Sequence, residues 1–359
     1  MSGKRHFVVL DGLRGIAAIT VALGHLCQTM SLTNSPAQGQ LAVDFFFMLS
    51  GFVVAYAYEH KLRTTLSFSQ FSVIRLVRLY PMVFFGVVIG IVSRLLDGAS
   101  GQGVLPVLGA GVFAFLLLPV PRRSAVPVSA FPLNGPLWSL TYELISNLAY
   151  AATIRWLSTR VLAVLVAILS VVLYVVLRIE HGVQASVAWG PELLYGFPRV
   201  FVPFILGVLL FRLAGPFRPG STALSLLAAL GLGAVLWAPT HNNANFDIVA
   251  ILIIFPILML VAARSPDDGP LAGIWTVLGK LSYPVYAINQ PVFRIGLVVA
   301  KRAHVSDAML PWFSVASFGL CLVLGYAILV LYDEPVRRAL SRKFIKRAAP
   351  PKTTAVPAT

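Results

Sequence analysis

Long apolar runs, most of them close to the thickness of a bilayer, recur from one end of the chain to the other with short polar or charged stretches between them. They cover roughly residues 7–29, 41–58, 80–96, 104–120, 137–154, 160–178, 199–213, 222–238, 246–263, 278–299 and 310–332. A helix crosses the hydrocarbon core with about 20 apolar residues. Inside a bilayer the backbone must satisfy its own polar groups, so this pattern predicts an all-α, polytopic membrane helical bundle. Eleven crossings would put Lys4, Arg5 and His6 on one side and the basic segment RRALSRKFIKR on the other, against the positive-inside rule. One run is therefore expected not to cross. With 104–120 re-entrant or half-buried on the outer side, about ten transmembrane helices remain and both termini are cytoplasmic. Lys61, Arg63, Arg75, Arg78, Arg155, Arg160, Arg212, Arg218 and Arg264 then face inward, and Arg122, Arg123, Arg178, Lys301 and Arg302 face outward. The expected organisation is one transmembrane domain, 1–340, and a basic then Pro/Thr-rich tail, 341–359, too poor in apolar residues to order itself.

Composition agrees with this pattern. The chain is 58% hydrophobic and 11% charged, with a mean hydropathy of +0.85, which excludes an ordinary soluble domain. A net charge of +15 and a pI near 10.3 would point to nucleic acid in a soluble protein. In a membrane protein the same excess reflects inward-facing loops and attraction to anionic headgroups or an anionic ligand, so no nucleic-acid partner is expected. Cys27 and Cys321 both lie in apolar runs, which supports neither a disulfide framework nor a thiolate metal site; no metal is expected.

The polar residues inside the apolar runs carry the candidate chemistry. In LDGLRGIAAITVALGH, Arg14 and His25 are eleven residues apart, three turns plus about 20°, so they share one helical face about 16.5 Å apart along the axis. Ionisable groups at membrane depth are functional candidates by default. Asp44, opening the second run, either orients the His25 imidazole or serves as a helix N-terminal charge. Arg75 and Arg78 project from one face; they either anchor the helix inside or present two planar forks to phosphate. Glu143, in WSLTYE, has no basic neighbour in sequence and is expected to find a partner in space, with His25 at a similar depth. Trp138 reads first as an interfacial anchor and second as a pocket wall. Ser282, Tyr286 and Asn289 form a stripe at spacings of four and three that either lines a cavity or joins helices. Asp333 and Glu334 with Arg337 and Arg338 read as a cytoplasmic charge cluster. His6, His60, His181, His241 and His304 fall at expected loops and receive no role.

Taken in order, DGLRG with Arg14 and His25, VDFFFMLSGF, RLVRLYP, WSLTYE, LSYPVYAINQP and YDEPVRR resemble the acyltransferase 3 family of integral membrane O-acyltransferases. The resemblance implies about ten membrane helices and transfer of an acyl group, usually acetyl from acetyl-CoA, to a hydroxyl of a carbohydrate or similar acceptor. It also implies that Arg14, His25, Arg75, Arg78 and Glu143 are functional. The chain departs from the family at Asn289, where many relatives have histidine; either Asn289 serves as a hydrogen bonder or part of the usual site is missing. On this reading Arg14, Arg75 and Arg78 bind the phosphates of acetyl-CoA or another short acyl-CoA. His25 acts as general base or acyl carrier, with Glu143 or Asp44 orienting it, and Trp138, Ser282, Tyr286 and Asn289 belong to the substrate pocket. The expected acceptor is a carbohydrate or glycoconjugate of the cell envelope or a secreted oligosaccharide, and the expected location is the bacterial plasma (inner) membrane. Two other classes fit the polar pattern: a transporter or flippase of an anionic glycolipid or sugar, and a non-catalytic membrane scaffold.

Overall fold

The computed structural model describes residues 5–33, 35–36, 38–98, 103–122, 129–183, 189–215, 220–240 and 243–345. Lys4, Arg123, Arg218, His241 and the tail beyond residue 345 lie outside the described residues. The described chain is helical, without a strand among its described residues. In order the helices are α1 (Val8–Met30), α2 (Leu41–Thr64), α3 (Phe68–Asp97), α4 (Val104–Phe115), α5 (Leu137–Thr153), α6 (Thr159–Ile179), α7 (Pro191–Leu213), α8 (Thr222–Leu236), α9 (Ala244–Ala263), α10 (Ala272–Arg302) and α11 (Leu310–Ile345). Seven of them, α1, α2, α3, α6, α7, α9 and α11, are long and apolar enough among the described residues to cross a membrane. The apolar side chains exposed along α4, α6, α8 and α11 have bilayer as their natural solvent.

Helix positions follow the apolar runs, while several ends differ from the pattern. α3 begins at Phe68, twelve residues before its apolar run, because Ser67 and Gln70 form a capping box and the polar turns after it propagate the helix. α7 begins at Pro191 and runs through Pro198 and Pro203. A proline is tolerated there because neighbouring helices can satisfy the carbonyl it frees. α4 has only 12 residues, about 18 Å of rise, and with α8 is one of two shorter apolar helices among the described residues. It stops at Leu116, and Leu117 takes a left-handed φ of 55°. α11 continues past residue 340 to Ile345. His60 lies inside the last turns of α2, not in a loop.

Two parallel sets of helices hold the centre. α1, α3 and α10 run together: Arg14 meets Ser282 and His25 meets Asn289 along one pair, and Leu79 meets Tyr283 and Ser93 meets Arg294 along the other. α2, α5 and α7 form the second set, with Asp44 against Arg199 near its start and Glu59 against Arg212 and Tyr150 near its finish. α1 and α2 are antiparallel, since Phe7 packs on Phe52 and Tyr56. Glycines permit the closest crossings. A Cβ on Gly279 would lie 2.7 Å from Cβ of Asp11, and one on Gly51 would collide with the Phe204 carbonyl. The chain between α4 and α5 is packed inward: Ala130, Phe131, Leu133 and Asn134 are buried. Arg94 and Arg294 donate to the Pro132 and Leu133 carbonyls, and this inward segment aims the start of α5 at the centre.

Candidate active site

α1, α2, α3, α5, α10 and α11 surround a cavity of about 330 Å³. Arg14, Arg75, Arg78, Glu143, Ser282 and Tyr286, all singled out from sequence, contribute to its wall; His25, Asp44, Trp138 and Asn289 do not. Near the start of α1, Asp11 joins His6 Nε2 at 3.0 Å to Arg14 Nη2 at 3.0 Å. Arg14 also donates to Ser282 Oγ at 2.9 Å and to the Gly279 carbonyl at 3.2 Å, which fixes the guanidinium against α10. Across the cavity, Arg75 is 2% exposed and donates from Nη2 to Glu143 Oε1 at 2.7 Å. Ser50 donates to the same oxygen at 3.2 Å. The partner that Glu143 needed is thus Arg75, not His25. A guanidinium offers two-pronged donation and full charge, which a neutral imidazole does not.

The last helix supplies the remaining wall. A π-helical turn at Leu329–Asp333 brings Asp333 to the cavity, where Arg337 lies 2.8 Å from it, while Glu334 pairs with Arg338 at 2.8 Å. Asp333, Glu334 and Arg337 are therefore cavity residues as well as a charge cluster. Every carboxylate in the wall has a cationic partner. The cations are not all matched: Arg78 and Lys280, both exposed, make no hydrogen bond or ion pair among the described residues. Lys280 was missed in the sequence; its only signal was a cation two residues before Ser282 at the entry to an apolar helix.

Asp44 and Trp138 form a separate structure. Asp44 is 0% exposed and receives Arg199 Nη2 at 2.8 Å, with Arg199 seated 5.2 Å from the centre of the Trp138 ring. Trp138 is 3% exposed, packed among the helices rather than facing outward, and Phe47 packs on its edge. Asp44 thus meets Arg199 rather than His25, as a buried carboxylate is held by a buried guanidinium beside it, and Trp138 stands outside the cavity wall. Arg199 stands between Phe197 and Pro203 in a run read as ordinary apolar helix. Like Lys280, it was overlooked in the sequence.

His25 and Arg14 both turn toward α10, as their spacing predicts, but they meet different residues. His25 Nδ1 lies 2.7 Å from Asn289 Oδ1. Asn289 Nδ2 in turn donates to the Val285 and Tyr286 carbonyls at 3.0 Å each. Tyr286 reaches the cavity, where its hydroxyl lies 2.5 Å from Ser139 Oγ. The polar stripe on α10 thus runs from Arg14 at Ser282, past Tyr286, to His25 at Asn289. Pro291 lacks the amide that would bond the Ala287 carbonyl, and Asn134 Nδ2 takes that carbonyl at 2.7 Å. Gln290 accepts from the Gly135 amide at 2.5 Å, so the turn that carries Asn289 is tied to the inward segment before α5. Among the described residues no group of three or more His, Cys, Asp or Glu side chains could hold a metal ion.

The fold and the central cavity define an integral membrane protein of the polytopic helical class. Within that class the chain belongs to the acyltransferase 3 family: the family model, described as an acyltransferase domain, matches residues 7–330. It is similar to the acyltransferase MdmB of Streptomyces mycarofaciens, 26% identical over 378 residues that cover 96% of this chain and 95% of that protein. It is also similar to protein 2 in the picA locus of Rhizobium radiobacter, 35% identical over 173 residues, 43% of this chain and 84% of that protein. No solved structure matches. The protein is an acyltransferase of groups other than aminoacyl groups.

Proposed function

We propose that the protein takes a short acyl group, acetyl in the simplest case, from acyl-coenzyme A and transfers it to a hydroxyl of a carbohydrate or glycoconjugate. The observation that carries this reading is the pair of unmatched cations, Arg78 and Lys280, in a cavity whose carboxylates are otherwise all engaged by Arg14, Arg75, Arg337 and Arg338. A polyphosphate donor brings the negative charge this wall lacks. The long arm of the donor then follows the α10 stripe toward Tyr286, three residues and about 4.5 Å of helix short of Asn289 and its partner His25. There the acceptor hydroxyl attacks the thioester carbonyl, its proton passes to His25, and the coenzyme thiolate leaves and is reprotonated. The ends of α2 and α7 and the starts of α1 and α3 share one side and carry Arg5, Lys61, Arg63 and Arg212. The positive-inside rule makes that side cytoplasmic, with both termini there if α4 does not cross and the membrane is the bacterial plasma membrane.

The test gives purified protein in detergent or liposomes radiolabelled acetyl-CoA and follows label release with and without an oligosaccharide acceptor, with His25→Ala alongside. Release by the wild type, lost in a folded His25→Ala, is expected. No consumption of any short acyl-CoA, together with no binding of coenzyme A, would overturn the enzyme mechanism in favour of translocation of an anionic glycolipid or sugar.

A further inference from the structure

The hydrogen bonds around Asn289 determine more than contact. Its Nδ2 donates to the Val285 and Tyr286 carbonyls, 3.0 Å from each. Reversing the amide would aim Oδ1 at two carbonyl oxygens, setting acceptor against acceptor, so the orientation is fixed by α10 itself. The atom that faces His25 Nδ1 at 2.7 Å is therefore Oδ1, which can only accept. An acceptor at that distance requires a proton on Nδ1. A neutral imidazole with its proton on Nδ1 carries its lone pair on Nε2, and Nε2 makes no hydrogen bond among the described residues.

We infer that Asn289 is a positioning residue that locks neutral His25 in the Nδ1–H tautomer and leaves Nε2 as the only proton acceptor of the pair. The inference rests on the acyl-transfer reading above and adds the atom that performs it. The hydroxyl proton of the acceptor is received at Nε2, and the imidazolium so formed keeps its Nδ1–H bond to Asn289. Asn289 itself neither gains nor loses a proton, so the pair moves one proton per transfer and no relay continues along α10. Both carboxylates that could have served in its place are committed elsewhere, Glu143 to Arg75 and Asp44 to Arg199.

The test joins a spectrum to kinetics. Nitrogen NMR of protein labelled with 15N-histidine, with the His25 signals assigned by their loss in His25→Ala, is expected to show a protonated Nδ1 and an unprotonated Nε2 at neutral pH. A protonated Nε2 overturns the inference. Asn289→Leu removes the acceptor and should lower kcat at least about tenfold, within the range seen when an orienting partner is removed, with the acyl-CoA KM unchanged. Asn289→Asp sets an oxygen against the Val285 and Tyr286 carbonyls, the arrangement the amide avoids, so it should also lower kcat. A folded Asn289→Leu with wild-type kcat also overturns the inference. Failure of the parent reading is distinguishable: it shows as absent acyl-CoA consumption by the wild type, and the spectrum reports the tautomer regardless.

Discussion

The cavity and the His25–Asn289 pair meet along α10, where Tyr286 in the cavity wall is less than a turn from Asn289, and they are built from opposite materials. The cavity is ionic: four cation–carboxylate pairs cross or border it, with two cations in excess. The histidine pair has no ionic partner: Asn289 meets His25 through Oδ1, and its Nδ2 donates to backbone carbonyls. The difference separates two tasks. A site for a polyanion can hold its arginines ready by pairing them with carboxylates until the ligand arrives. A base must keep a lone pair available, which a neighbouring full charge would perturb. The largest effect that sharpens this contrast is at His25. His25→Ala should lower acyl transfer by about 10²–10⁴-fold, the contribution of a positioned general base, while coenzyme A binding, measured separately by titration, stays near wild type. Equal loss of transfer and binding would merge the two regions into one.

Stability distinguishes a third group from both. Asp44 and Arg199 are 0% and 3% exposed at the side chain and pair at 2.8 Å outside the cavity. Removing one partner strands the other charge in a buried site, at a cost of about 3–5 kcal/mol. Asp44→Ala should therefore lower the thermal unfolding temperature in detergent strongly. The protein that remains folded should bind coenzyme A as the wild type does. A stable Asp44→Ala with lost transfer would instead return Asp44 to the chemistry.

The sequence made the helices legible because hydropathy reports burial in lipid, and membrane helices are apolar over most of their length. It made the cavity largely legible too, since Arg14, Arg75, Arg78 and Glu143 are charges at costly depth, and such charges converge. Pairing was not legible. Glu143 and Asp44 each had His25 as the natural partner by depth, whereas partner choice depends on which helices touch, and parallel packing of α2 with α7 brought Arg199 to Asp44. The polar extension of α3 before Tyr80 was hidden for a related reason: its helix is set by a cap and by tertiary contacts rather than by apolar length. Asn289 could be recognised as an exception to the family but not interpreted, because its meaning lies in the direction its amide faces.

Smaller effects divide the cavity itself. Arg75 is buried and already paired, whereas Arg78 is exposed and unmatched, three residues away on the same helix. Arg78→Ala should raise the KM for acyl-CoA about tenfold with little change in kcat, the signature of binding lost equally from ground and transition states. Losing one charge-assisted contact of this kind corresponds to about 1.5 kcal/mol or somewhat more. The wild-type KM should also rise with ionic strength, since Arg78 and Lys280 attract the donor through screened solvent, and the slope should flatten in Arg78→Ala. An unchanged KM and slope would mean that the excess charge of Arg78 and Lys280 serves the membrane surface, leaving the half-buried Arg14 and the buried Arg75 to meet the donor.

The smallest effect tests whether the Trp138 cluster is independent of both regions. Arg199 sits over the Trp138 ring at 5.2 Å, and Trp138 also touches Phe47, a residue of the cavity wall. Trp138→Phe keeps an aromatic face for Arg199 but a weaker one, so thermal stability should fall by about 0.5–1 kcal/mol from the cation–π contact, plus the smaller ring's lost packing. Because Trp138 lies behind Phe47 rather than in the wall, the acyl-CoA KM and the pH–rate profile should both remain as in the wild type. A shift in KM alone would show that the wall is transmitting the ring's position through Phe47. A shift in the pH profile would be more informative, since the ring has no bond to His25 or Asn289, and it would require that α5 positions α10 through Ser139 and Tyr286.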